Sequence, residues 1–349
     1  MFPTMIPVRH TVAAILLLLG AGSLFPGRGA ERGAARPSLV PPLDPELSNY
    51  EYPFPVAFHE FHAQDQSLRM AFMDVAPPNP NGRVVVLLHG KNFCGAYWAA
   101  TIRALNAAGY RVIAPDQVGF GKSSKPAAFQ FTFQALAQNS FALLDSLHVQ
   151  KFALVGHSMG GMLAVRMALM KPERVERLVL VNPIGLEDWK LVVPYRTVDE
   201  NFAQEMRATP QSIREYQKQN YFAGQWKPEY EALTEILSGW TQHPDYKVVA
   251  WSAALTSDMI FTQPVLYEFE RLKPRTLLII GQRDRTAIGK DRVPKEVAAR
   301  LGDYPALGKA AAQRIPEARL VEIPESGHLP QVDAFEKYSR ALLEFLEER

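Results

Sequence analysis

From residue 55 onward the chain alternates two kinds of stretch. Short apolar runs bounded by Gly, Pro, Asn or Asp read as strands. Longer stretches with apolar positions three and four apart read as helices. "VAFHEFHA" and "LRMAFMDV" predict an opening hairpin, and "APPNPNG" is the turn after it. "RVVVLLHG" is apolar throughout its Val84–Leu88 run, as in a strand covered on both faces. The pattern then repeats: "YWAATIRALNAAG" as helix, "YRVIAPD" as strand, "FTFQALAQNSFALLDSL" as helix, "KFALVG" as strand, "MGGMLAVRMALMKP" as helix and "VERLVLVNP" as strand. Residues 184–268 break this rhythm with aromatic-rich, polar-interrupted segments and predict a mostly helical insertion. The rhythm resumes with the strand "RTLLIIGQRD", helical pieces at 294–313, the strand "ARLVEIP" and a closing helix from Val332 to Glu348. Strands alternating with helices imply a mainly parallel sheet covered on both sides, whose ligands sit outside the carboxyl ends of the strands.

The first residues follow another pattern. "TVAAILLLLGAGSLF", preceded by Arg9 and followed by small residues, reads as a secretory signal cleaved near Ala30. A membrane anchor formed by an uncleaved leader is the alternative, although the run is short for a span. The expected organisation is therefore a leader at 1–30, an extended Pro-rich linker at 31–54, a core at 55–183 and 269–349, and a helical cap at 184–268. A secreted or periplasmic location follows from the leader, with no span in the mature chain. Cys94 is the single cysteine, so no internal disulfide can form. The 349 residues are 47% hydrophobic and carry a net charge of +2 without a Lys/Arg block, which argues against a nucleic-acid partner. The glycines of "VGFGKSS" do not have Walker spacing, and no metal or cofactor site is predicted.

The chemistry is carried by "GHSMG" at 156–160, where a strand-like run turns into a helix-like one. A G-x-S-x-G corner lifts a serine hydroxyl above the sheet and starts a helix beneath it. Ser158 is the predicted nucleophile, and the Met159 amide one oxyanion donor. A serine hydroxyl needs a base and an orienting acid. His328, in the loop between the last strand and the last helix, is the predicted base. Asp284, just past the strand "LLIIG", is the predicted acid, with Glu187 or Asp188 as second choices. Asn182 holds the corresponding strand end there and cannot carry charge. The second oxyanion donor is expected from the loop "HGKNFCG", from the amide of Lys91 or that of Asn92. His89 is expected to buttress that loop, Cys94 to fill space, and Asp116 to anchor a turn.

The set "HGKNFCGAYW", "APDQVGFGKS", "GHSMGG", "IIGQRD" and "SGHLPQVD" resembles the α/β-hydrolase fold family, over nearly all of the chain from residue 55. The resemblance implies an eight-stranded, mostly parallel sheet with a helical cap after the sixth core strand. It places the chain near epoxide hydrolases, haloalkane dehalogenases, carboxylesterases, lactonases and C–C bond hydrolases. Ser158 stands where the dehalogenases and epoxide hydrolases use aspartate, which points to acyl transfer. The stretch from Asp284 to His328 looks longer than the family's, so extra helices are expected to wall the site. These features predict a serine hydrolase, carboxylesterase-like, acting on a small substrate with an apolar group. A lactonase, a C–C hydrolase, a cofactor-free haloperoxidase or a non-catalytic binding protein of the same fold are the alternatives.

Overall fold

A computed structural model describes residues 40–348. The expected leader at 1–30 lies outside the described residues, as do residues 31–39. Among the described residues, eight strands form one sheet in the order β1-β2-β4-β3-β5-β6-β7-β8. They are β1 (Val56–Ala63), β2 (Gln66–Val75), β3 (Val84–Leu88), β4 (Arg111–Pro115), β5 (Phe152–His157), β6 (Val175–Val181), β7 (Arg275–Gly281) and β8 (Arg319–Ile323). β2 pairs antiparallel with both β1 and β4. The remaining neighbours are parallel. The predicted α/β class and the mostly parallel sheet are what the chain forms.

The continuous apolar runs have the expected cause. In β3, Val86 and Leu88 face one core and Val85 and Leu87 the other. β5 and β7 divide the same way, with Leu154 and Ile280 on one side and Val155 and Ile279 on the other. Each such side chain contributes roughly 1.5–3 kcal/mol relative to exposure, so neither face tolerates polar alternation. Helices cover both faces. α1 (Ala99–Ala107), α2 (Phe133–Ser146) and α3 (Met159–Met170) follow β3, β4 and β5.

Between β6 and β7 the chain leaves the sheet to form α4 (Val198–Glu205), α5 (Pro210–Asn220), α6 (Glu235–Thr241) and α7 (Tyr246–Thr262). α4 and α5 start on capping boxes, Thr197 with Glu200 and Thr209 with Ser212, and Pro210 opens α5. These caps satisfy amides that a short, polar helix would otherwise leave bare.

The stretch read as a linker is instead tied down from residue 40 on. Leu43 and Leu47 are buried with Trp240 and Val249 of α6 and α7. The Trp240 indole N–H donates to the Asp44 carbonyl at 3.0 Å. Prolines ruled out regular structure here, but two leucines four residues apart supply an apolar face that packs.

After β7 come α8 (Lys295–Ala298) and α9 (Tyr304–Arg314), and after β8 come α10 (Pro330–Asp333) and α11 (Phe335–Glu347). The closing helix is thus two helices rather than one. The break has a cause at Asp333, whose carboxylate accepts from the Ser326 hydroxyl and from the Gly327 N–H. α11 then buries Tyr338, Ala341, Leu342, Phe345 and Leu346, a stripe of helical period.

Candidate active site

Three strand ends converge at one rim of the sheet. β5 ends at His157 and α3 begins at Met159, leaving Ser158 at the corner with φ 56° and ψ −121°. A non-glycine residue in that region stores strain, which the surroundings must hold. The flanking glycines explain how. A Cβ on Gly156 would lie 2.2 Å from the Gly160 carbonyl oxygen, and one on Gly160 would lie 2.3 Å from the Leu88 carbonyl oxygen. Only hydrogen fits at either place, so the corner is fixed by close backbone contact. Ser158 is 6% exposed, and none of the described residues hydrogen-bonds its hydroxyl.

His328 and Asp284 are both 0% exposed. Their side chains meet at 2.6 Å, His328 Nδ1 to Asp284 Oδ2. A carboxylate only accepts, so Nδ1 carries the proton and Nε2 presents a lone pair. Nε2 is buried and has no partner. Asp284 is itself held: Oδ1 accepts from the Thr286 N–H at 2.8 Å, and Oδ2 accepts also from the Asn182 side-chain amide at 2.8 Å. Asn182 in turn accepts from the Gly281 N–H at 2.8 Å. The residue that sequence reading set aside as the wrong acid therefore clamps the acid to the end of β7.

The second-choice acids are engaged elsewhere. Glu187 accepts from the Gly302 N–H and the Trp189 indole. Asp188 caps a short turn and accepts from the Tyr267 hydroxyl.

Sequence reading missed four residues that position this centre. His157 donates from Nε2 to the His328 carbonyl at 2.9 Å and accepts at Nδ1 from the Tyr97 hydroxyl at 3.0 Å. That pairing makes it neutral, and burial followed by the nearby His328 ring hold its pKa well below the usual histidine range. Tyr221, just after α5, stacks its ring on His328 at 4.7 Å and 25°, and its carbonyl accepts the His328 N–H at 2.8 Å. Asn182 and Asp333 are the other two, the latter bracing the loop before His328. His157 carried a signal as the residue before the serine of the corner motif, and Asn182 as the residue at the end of β6.

The loop after β3, where the second oxyanion donor is expected, forms a tight turn beside Ser158. The Phe93 N–H bonds the Gly90 carbonyl at 3.1 Å, so Lys91 and Asn92 form the middle of a tight turn. Gly90 lies against the serine: a Cβ there would sit 3.0 Å from Ser158 Cβ. The Asn92 side chain is committed to the Tyr221 hydroxyl at 2.7 Å, and Lys91 Nζ to Glu205 at 2.8 Å. What these two can offer an oxyanion is their backbone amides. The Met159 amide opens α3, where first-turn N–H groups have no acceptor within the helix.

His89 accepts from the Gln117 N–H at Nε2 and so donates from Nδ1 to the Gly90 carbonyl at 2.9 Å, buttressing the loop. Asp116 accepts from the Gly95 and Lys122 N–H groups and the Tyr52 hydroxyl, a turn anchor. Burial pushes the Cys94 thiol up to about 12, so it is no thiolate nucleophile.

A cavity of about 450 Å³ lies against this loop, roofed by the inserted helices. Lys91, Asn92, Tyr216, Trp240 and Tyr246 line it, with Ile288 and Arg292 from the long stretch after Asp284. Ser158 and His328 are not part of its lining. Tyr221 touches Tyr216 of the lining on one side and His328 on the other. Among the described residues no group of three or more His, Cys, Asp and Glu could hold a metal ion, and no helix is long and apolar enough to cross a membrane.

A family model described as the alpha/beta hydrolase fold matches residues 83–196. The solved structure of a probable hydrolytic enzyme from Pseudomonas aeruginosa is 53% identical with a TM-score of 0.87, covering 88% of this chain and 99% of its own. Among curated proteins, the chain is 27% identical over 250 residues to a 2-hydroxymuconate semialdehyde hydrolase of Pseudomonas putida, covering 68% of this chain and 77% of that one. It is 37% identical over 114 residues to a protein of Klebsiella variicola provisionally named carbamate hydrolase RutD, 32% of this chain and 42% of that one. The chain thus spans about two fifths of that relative's length. Relatives and fold agree, and the chain belongs to the α/β-hydrolase fold family.

Proposed function

We propose that the protein is an exported serine hydrolase that cleaves a carboxylic ester-type bond through an acyl-enzyme. The observation that carries this reading is the 2.6 Å contact between His328 Nδ1 and Asp284, which leaves Nε2 with an unshared pair. Nε2 takes the proton of Ser158 Oγ as the oxygen attacks the carbonyl carbon. The carbonyl oxygen becomes anionic and is held by the amides of Met159 and Lys91, or that of Asn92. Asp284 stabilises the imidazolium. As the tetrahedral intermediate collapses, His328 gives its proton to the leaving alcohol. Water then enters, His328 takes its proton as the oxygen attacks the acyl carbon, and the proton passes to Ser158 Oγ as the bond to the acyl group breaks and the acid is released. Export is read from the leader pattern in residues 1–30, and the N-terminal sequence of protein recovered outside the cytoplasm tests it.

A second reading keeps the centre and changes the bond. The similarity to a 2-hydroxymuconate semialdehyde hydrolase favours C–C cleavage as that alternative. A panel of p-nitrophenyl esters of rising chain length separates the two. Turnover that is abolished in Ser158→Ala supports the ester reading. No turnover of any ester, with hydrolysis of 2-hydroxymuconate semialdehyde, replaces it with the second.

A further inference from the structure

We propose that the cavity beside the oxyanion loop binds the anionic end of the substrate, so that the preferred ester carries a free carboxylate on its acyl chain. This rests on the ester reading and adds to it a substrate class. The charge inventory of the cavity is unbalanced. Four cationic side chains line it: Lys91, Arg196, Arg207 and Arg292. Lys91 is paired with Glu205 at 2.8 Å, and Arg196 with Asp291 at 2.6 Å. Glu200, the other carboxylate near Arg292, caps α4 through the Thr197 N–H at 2.8 Å. Every carboxylate in the neighbourhood is committed, and neither Arg207 nor Arg292 has an ion-pair partner among the described residues.

Arg292 is the more telling of the two. One terminal nitrogen donates to the Pro194 carbonyl at 2.6 Å, and the guanidinium lies 5.5 Å from the centre of the Phe261 ring. Its Nε is buried without a partner. A guanidinium partly removed from water, with an unmet donor and a like charge beside it, is stabilised by an incoming anion. Burial and then the neighbouring Arg196 do weaken its hold on its proton, but an arginine stays charged. Ile213, Trp240, Tyr246, Val249 and Ile288 give the wall an apolar and aromatic part, beside the polar Asn201, Gln204, Ser212, Gln217 and Ser257. A chain with an apolar middle and a carboxylate tip matches this lining, its carbonyl end toward Lys91 and Asn92.

The test compares mono-p-nitrophenyl glutarate with its methyl ester, which has the same length and no charge. Calorimetric binding to Ser158→Ala protein needs no turnover and so stands apart from the ester reading, which hydrolysis of the methyl ester by the unaltered enzyme tests. The acid is expected to bind at least about tenfold tighter than its methyl ester, the range of a charge-assisted hydrogen bond. Adding Arg292→Gln should weaken the acid far more than the methyl ester and so remove most of that preference, and Arg207→Gln should reduce it by less. Equal affinities for the two compounds, including no measurable binding of either, overturn the proposal. So does an equal loss for both in Arg292→Gln.

Discussion

At the residue scale, the function rests on who holds the proton. His328 is one of eight histidines, and what selects it is a buried carboxylate on one nitrogen and nothing on the other. Asp284→Asn should fold and keep its bond to His328, but with the tautomer reversed, so kcat falls by about 10⁴. Steady-state kinetics with a melting curve separates this from unfolding. Asn182→Ala tests the clamp. It leaves the buried Gly281 N–H without an acceptor and frees one side of Asp284, so we expect a loss of about 1–3 kcal/mol in stability together with reduced kcat. The corner position of Ser158 and the pairing of Asp284 with His328 could be read from sequence because strand ends, chain order and residue type restrict the choice. The positioning roles of Asn182, Tyr221 and Asp333 could not, because Asn182 and Tyr221 act on residues about 100 positions away and Asp333 braces a loop of no fixed pattern.

At the element scale, two joints set the geometry. The β5–α3 corner needs hydrogen at Gly156 and Gly160. Gly156→Ala would push a methyl into the Gly160 carbonyl and should cost about 3 kcal/mol or more, read as lost soluble protein or a lowered melting temperature. The other joint is between the inserted helices and the His328 loop. There Tyr221 stacks on the imidazole and bonds Asn92, linking the insertion, the oxyanion loop and the base. Tyr221→Phe keeps the ring and should retain kcat within a few-fold. Tyr221→Ala removes a stacked pair of about 0.5–1.5 kcal/mol, so kcat should fall by up to about tenfold. The β-α rhythm and the helical insertion were visible as hydrophobic period and its interruption. The split of the last helix at Ala334 was not, since no helix breaker stands there and Asp333 beside it is engaged by the Ser326 hydroxyl and the Gly327 N–H. The anchoring of residues 40–50 by Leu43 and Leu47 was hidden among prolines for a similar reason.

At the scale of the whole molecule, the same polar groups that position the site link folding to pH. His89 and His157 are buried and neutral, and burial holds both below the ordinary histidine value of 6.5. On unfolding each regains that value and takes up a proton below it. The unfolded state then binds more protons, so their contribution is present above the unfolded pKa and is lost as pH falls toward the folded one. Each adds up to about 1.4 kcal/mol per pH unit in that window. Glu187 and Asp333, raised by burial, act in the opposite sense nearer the carboxylate range. Denaturant unfolding from about pH 7 to about pH 5 should show falling stability, with a shallower slope in His157→Gln than in the unaltered protein. An equal slope in the variant would remove His157 from this account.

The central claim is that Ser158 is a nucleophile activated by His328. Labelling with a fluorophosphonate probe, with the modified residue located by peptide mass spectrometry, tests it most directly. The account predicts one adduct on Ser158, absent in Ser158→Ala and formed far more slowly in His328→Ala. An adduct on another residue, no adduct at all, or undiminished labelling of Ser158 in His328→Ala would contradict it.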